Sequence, residues 1–242
     1  MKNKVKGALS ILFIAVTSYF MITTKYTHAL GDYILEFIGL KSWTGDYSGI
    51  HLTVIYFGIL FLIGLFLVEK YAIDGLNIKR KSVFIIFVAF MVVFSSITGI
   101  TARDIKKNSS GLLTIGYNSS GSSMNYRSED SKFVEFTAEF ELTNYSNEKK
   151  TFYLSIDNPY YSEDAIEEIS FYTLDGKRAI FELGSNETKS FSLSLDNYNL
   201  VGGRGFQNRS GNGIVEEIVL TNYMGNKVRL NNNNFFGIEL NR

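Results

Sequence analysis

VFIIFVAFMVVFSSITGIT, residues 83–101, decides what kind of molecule this is. As an α-helix these 19 residues rise about 28 Å, close to the roughly 30 Å hydrocarbon core of a bilayer. The first twelve are apolar on every side, so no polar face is left for water. Period-two alternation is absent, which excludes a barrel strand. The reading extends outward from this run. No Asp, Glu, Lys or Arg occurs in the 21 residues between Lys81 and Arg103, the 22 between Asp46 and Glu69, or the 18 between Lys6 and Lys25. Backbone N–H and C=O groups inside lipid must pair within their own segment, so three such runs predict three transmembrane helices, at about 7–26, 50–68 and 83–101.

Composition supports the same division. The chain has 242 residues, with 24 Lys and Arg against 24 Asp and Glu. Its apolar residues are concentrated in the first hundred positions, which rules out an ordinary cytosolic globular protein. The balanced charge removes bulk attraction to nucleic acid, so no nucleic-acid partner is expected. The absence of Cys excludes a disulfide framework, a thiol nucleophile and a Cys-ligated metal.

Orientation follows from Lys and Arg near the runs. Lys2, Lys4 and Lys6 precede the first run, and Lys70, Lys79, Arg80 and Lys81 join the second to the third. Residues 25–49 offer only Lys25 and Lys41. The N-terminus is therefore expected in the cytoplasm and residues 103–242 outside, although Arg103, Lys106 and Lys107 pull the other way. The first run also fits a secretory signal peptide cleaved near Thr27-His28-Ala29, which leaves the rest on the same side. Between the first two runs, Leu30, Tyr33, Ile34, Phe37 and Ile38 recur at helical spacing, with Asp32, Glu36 and Lys41 opposite. That pattern predicts an amphipathic helix at about 29–40 in the outer membrane interface. The competing reading is a packed linker with its apolar face against the spans. No charge lies within a run, which argues against a self-sufficient transporter, pump or channel. Ser95, Ser96, Thr98 and Gly99 form one small polar patch, suited either to helix packing or to ordinary helix termination.

After residue 102 the chain turns polar, with 15 basic against 19 acidic residues. Residues 103–131, rich in Ser, Asn and Gly, read as a flexible linker holding at most one edge strand. Residues 132–242 read as a β domain. Val134, Phe136, Ala138, Phe140 and Leu142 alternate with Glu135, Thr137, Glu139 and Glu141, the pattern of a half-buried strand. Phe152, Leu154 and Ile156 repeat it, as do Phe191, Leu193 and Leu195. Asp175-Gly176 between 169–174 and 178–183 predicts a hairpin, and 214–221 and 227–230 flank a turn at Gly225. Short strands at this spacing predict an antiparallel β-sandwich.

FVEFTAEFELTNYSNEKKTFYLSI (133–156), followed by LGSNETKSFSL (183–193), resembles the immunoglobulin-like and fibronectin-III-like modules found outside bacterial membranes. In these a strand ending near an Asn turn precedes a later strand introduced by a small polar turn. The resemblance implies a spacer or binding platform and carries no site residues. The complete expectation is a membrane α plus all-β protein: three transmembrane helices followed by an extracytoplasmic Ig-like sandwich.

Both histidines, His28 and His51, lie in the membrane half. The outer half is thereby denied a Ser-His-Asp triad, imidazole acid/base catalysis and a His-ligated zinc. Asp157, Glu163, Asp164 and Glu167, in DNPYYSEDAIEE, could supply oxygens to calcium, but without the EF-hand order; a solvated loop is the competing reading. Paired carboxylates are also the one chemistry open to an enzyme here. Tyr160 and Tyr161 would suit a saccharide or protein contact. The Gly-rich loop 202–213 lacks the ending of a P-loop, and Arg204, Phe206 and Arg209 would present charge and an aromatic ring at its tip. No cofactor is expected. Three spans exceed what a tether needs, so the expected role is a non-catalytic binding or accessory module with a membrane-protein partner or second copy in the bilayer. The alternative is a sensor signalling to a separate cytoplasmic protein through loop 69–81.

Overall fold

The computed structural model describes residues 2–45, 48–130, 132–156, 168–202, 208–231 and 234–240. It divides into two compact units, Met1–Thr101 and Ala102–Arg242.

The first unit is helical. α1 (Lys2–Phe20) is followed by the short α2 (Leu30–Phe37). α3 (Leu52–Val68) continues through a π-helical turn at Glu69–Ile73 into α4 (Asp74–Leu76). Asn77, in the left-handed conformation, ends that helix and α5 (Arg80–Lys107) begins. Among the described residues, two helices are long and apolar enough to cross a membrane: Leu52–Leu76, 25 residues, and Arg80–Lys107, 28 residues. α1 stops at Phe20, short of the run that reaches residue 26, because Thr24 folds the chain into a turn. Its hydroxyl oxygen accepts the backbone N–H groups of Tyr26 and Thr27, each at 3.2 Å. Ile11 and Ile14 of α1 pack with Val68, Ala72 and Val83 in one apolar cluster. Tyr19 donates to the Thr98 hydroxyl at 2.7 Å, so the polar patch on α5 does meet a neighbouring helix.

The second unit contains, among the described residues, eleven strands in two antiparallel sheets that do not close into a barrel. The strands are β1 (Ile115–Glu129), β2 (Lys132–Asn144), β3 (Lys150–Ile156), β4 (Ile169–Tyr172), β5 (Phe181–Leu183), β6 (Thr188–Ser194), β7 (Asn199–Val201), β8 (Arg209–Gly213), β9 (Glu217–Thr221), β10 (Lys227–Asn231) and β11 (Asn234–Leu240). One sheet runs β6-β2-β1-β8; the other runs β11-β10-β9-β3-β4-β7, with β5 also on β3. Both line a single apolar core. Phe136 of β2 meets Phe171 of β4 at 6.1 Å, and Phe181 of β5 meets Phe191 of β6 at 5.8 Å.

Two stretches read as loops turn out to be sheet. The linker at 103–131 contains β1, fifteen residues long and interior to its sheet, paired with β2 on one side and β8 on the other. Part of the Gly-rich loop is β8. Small residues hid both strands, yet small residues are what the core accepts there: Ser119 and Ser128 are fully buried. A bulge between Asn118 and Ser123 turns Ser122 toward the core, where its hydroxyl oxygen accepts the Val215 N–H at 3.0 Å. Tyr117 donates its hydroxyl to the Val215 carbonyl. The Asp175-Gly176 turn is present, but β4 and β5 do not form a ladder with each other; both lie against β3.

Asn144 joins the two turns of the resembling segment. Fully buried, its amide donates to the carbonyls of Glu148 and Gly184, each at 2.7 Å, and its oxygen accepts from the Ser146 N–H and hydroxyl. Lys106, also fully buried, donates to the Phe236 carbonyl at 2.9 Å and lies 5.5 Å from the Phe235 ring centre.

Asn144→Ala should lower the stability of this unit by about 2–4 kcal/mol, since buried donors and acceptors lose their partner. Thermal unfolding of the full chain in detergent, followed by near-ultraviolet circular dichroism, checks it. Burial pushes the Tyr117 hydroxyl up from 10.0 to about 12. The folded state therefore holds that proton more tightly than the unfolded state, and the associated stability is lost as pH rises from 10 through about 12. Tyr117→Phe should be less stable at neutral pH by about 1 kcal/mol and show a shallower alkaline decline in the same measurement.

Candidate functional site

Among the described residues, a cluster of polar side chains comes together at α2 in the helical unit, made of residues the sequence did not single out as a site. α2 can approach its neighbours because residue 31 is Gly. A Cβ there would lie 2.6 Å from Thr53 Cγ2, 2.7 Å from the Phe20 carbonyl and 2.8 Å from the Phe57 ring. That approach carries the next residue, Asp32, inward until it is only 1% exposed.

Three donors from two other segments converge on the Asp32 carboxylate. Thr53, in the first turn of α3, donates its hydroxyl to Oδ1 at 2.5 Å. His51 Nε2 lies 2.7 Å from the same oxygen. The indole Nε1 of Trp43 donates to Oδ2 at 3.3 Å. The imidazole and indole rings stack 4.1 Å apart and 9° from parallel. Beneath them Trp43 and His51 form an antiparallel bridge, and Thr53 N–H donates to the Ser42 carbonyl at 3.2 Å. The carboxylate therefore clasps α2, Trp43, His51 and the start of α3 together. A buried carboxylate needs such donors, because desolvation without them would cost several kcal/mol.

Beside the clasp lies an open groove of about 470 Å³, lined by Glu36, Leu40, Lys41, Ser42, Trp43 and Gly45 among others. Ser42 donates its hydroxyl to Glu36 Oε1 at 2.6 Å. α2 ends at the groove: Gly39, at φ +79°, lets its N–H reach the Glu36 carbonyl at 3.0 Å and the Leu40 N–H reach the Leu35 carbonyl at 2.8 Å.

The amphipathic pattern of α2 is present but turned around. Asp32 faces inward with Gly31 and Leu35, while Tyr33, Ile34, Phe37 and Ile38 are exposed, Phe37 to 90%. The apolar face is thus not packed against the helices, as the linker reading required. No signal in the sequence announces the clasp, because Asp32 sits in a run of polar-face positions and His51 beside an apolar run.

Of the residues singled out after residue 102, Asp157, Tyr160, Tyr161, Glu163, Asp164, Glu167, Arg204 and Phe206 lie outside the described residues. Arg209 opens β8, its carbonyl accepting the Ser128 hydroxyl at 3.2 Å. Glu168 pairs with Lys227 at 3.2 Å. Among the described residues no three His, Cys, Asp or Glu side chains come together to hold a metal ion.

The chain matches no protein-family model, no curated protein and no solved structure.

Asp32→Ala should strand three donors and weaken the helical unit by about 2–5 kcal/mol. Trp43 is the sole Trp, so intrinsic fluorescence reads the clasp directly. Asp32→Ala should shift its emission to longer wavelength, with Asp32→Asn intermediate because one acceptor oxygen remains.

Proposed function

We propose that this chain is a multi-pass protein of a bacterial plasma membrane that presents an Ig-like β-sandwich outside the cell as a non-catalytic binding or accessory module. Its N-terminus lies in the cytoplasm, α1 joins the two longer helices as a third span, and the outer domain engages a protein or envelope ligand. The bilayer and another membrane protein, or a second copy of the chain, are its partners.

One observation carries this reading. Of the most apolar window of each long helix, only 22% in Leu52–Leu76 and 11% in Arg80–Lys107 is buried. A helix from the core of a water-soluble protein would be mostly covered. Here Ile55, Leu62, Phe66, Phe84, Val92 and Ile97 are exposed, and hydrocarbon is the medium that favours them. Lys4 and Lys6 at one end of α1, and Lys79, Arg80 and Lys81 around the start of α5, support the cytoplasmic assignment of those ends. Lys106 is committed to the Phe236 carbonyl, which weakens the contrary pull of the basic residues after residue 102. Two antiparallel sheets over one core, with Asn144 tying the turn after β2 to the turn before β6, support the sandwich.

The test is made on membranes from cells producing the full chain. Washing with alkaline carbonate should leave the protein in the pellet, and protease added to intact cells should digest residues beyond 102 while sparing residues 69–81. Release by carbonate, or protection of the C-terminal domain, overturns the reading.

A further inference from the structure

We propose that the groove beside α2 binds the headgroup of a zwitterionic phospholipid, its ammonium against Glu36 and its phosphate against Lys41. This deepens the proposed function and rests on the helical unit being embedded in a bilayer.

Charge complementarity carries the assignment. Glu36 and Lys41 line one groove, and no ion pair joins them among the described residues. Glu36 has one oxygen engaged by the Ser42 hydroxyl, and Oε2 is left for an incoming donor. The C-terminal end of α2 lies at the same place, and the partial negative charge of a helix C-terminus adds to the attraction for an ammonium. Lys41 supplies a point charge suited to a phosphate oxygen. A simple anion or cation would satisfy one of these groups and oppose the other, whereas a headgroup carrying both signs satisfies both.

The surroundings select a lipid over a free zwitterion. Ile34, Phe37, Ile38 and Leu40 are all exposed on or beside α2, and Leu40 itself lines the groove. A polar recess next to an uncovered apolar face matches a molecule with a charged head and hydrocarbon tails. Trp43 lies between the groove and the Asp32 clasp, as indoles do at the level of lipid headgroups.

The full chain is reconstituted in nanodiscs of phosphatidylglycerol containing increasing fractions of phosphatidylethanolamine, and Trp43 emission is recorded. A saturable change is expected, weakened about tenfold by Glu36→Gln and by Lys41→Gln, as for loss of one charge-assisted contact. Both variants should keep the wild-type emission in pure phosphatidylglycerol, which shows the clasp intact. Native mass spectrometry of the wild type should retain one phosphatidylethanolamine per chain. The proposal is overturned if emission changes without saturation, if neither variant weakens it, or if water-soluble glycerophosphoethanolamine serves equally well. Flotation with vesicles tests the underlying reading separately: a chain that floats but shows no saturable response refutes the groove alone, and one that does not float refutes both.

Discussion

Apolar surface that the protein does not cover for itself is the constraint on which the front half of the structure depends. More than a dozen large apolar side chains of the two long helices stand exposed. Full burial of such a side chain is worth roughly 1.5–3 kcal/mol and these are about half exposed, while the net stability of a whole domain is only about 5–15 kcal/mol. Apolar surface of this extent is unfavourable in water. On the membrane reading the solvent supplies what the fold withholds, and α1 needs to contribute only one packed seam of Ile11, Ile14 and the Tyr19 hydroxyl.

The second unit obeys the opposite rule, because there the chain builds its own apolar interior. The alternation of β2 was legible because Phe136, Ala138, Phe140 and Leu142 are buried while Glu135, Glu139 and Glu141 are not. β1 was not legible. Its sequence, IGYNSSGSSMNYRSE, has the composition of a linker, and its place in the sheet comes from pairing with β2 on both sides of the bulge between Asn118 and Ser123. Local propensity was overridden by a neighbour with a strong pattern. β8 is the same case at one remove, since RSGNG is strand only because β1 offers it an edge. The positions that lock the domain are polar as well: Asn144, Tyr117 and Ser122 hold turns and a bulge in place, and alternation of apolar residues carries no information about them.

The helical clasp shows a different limit of reading. The period of α2 was legible, with apolar residues on one side and Asp32, Glu36 and Lys41 on the other. The spacing of apolar residues divides a helix into two faces, however, and which face meets protein depends on the medium. In water the apolar side turns inward. Next to hydrocarbon the apolar side can face the medium, and the inward side is free to carry a carboxylate if donors are waiting for it. Gly31 is the residue that makes this orientation possible, since any side chain there would strike Thr53, the Phe20 carbonyl and Phe57. Thr53, His51 and Trp43 then complete the shell around Asp32.

The inversion of α2 also separates two roles that looked alike in sequence. Asp32 and Glu36 are one helical turn apart and were grouped on one polar face. Asp32 is buried, its charge absorbed by three donors; Glu36, a turn closer to the end of the helix, remains exposed and is held by the Ser42 hydroxyl. The first carboxylate holds Trp43 and His51 in place, and Trp43 with its neighbour Ser42 lines the groove in which the second is presented. A buried charge saturated by its partners makes rigid structure, and an exposed one placed by that structure is left able to recognise something outside it.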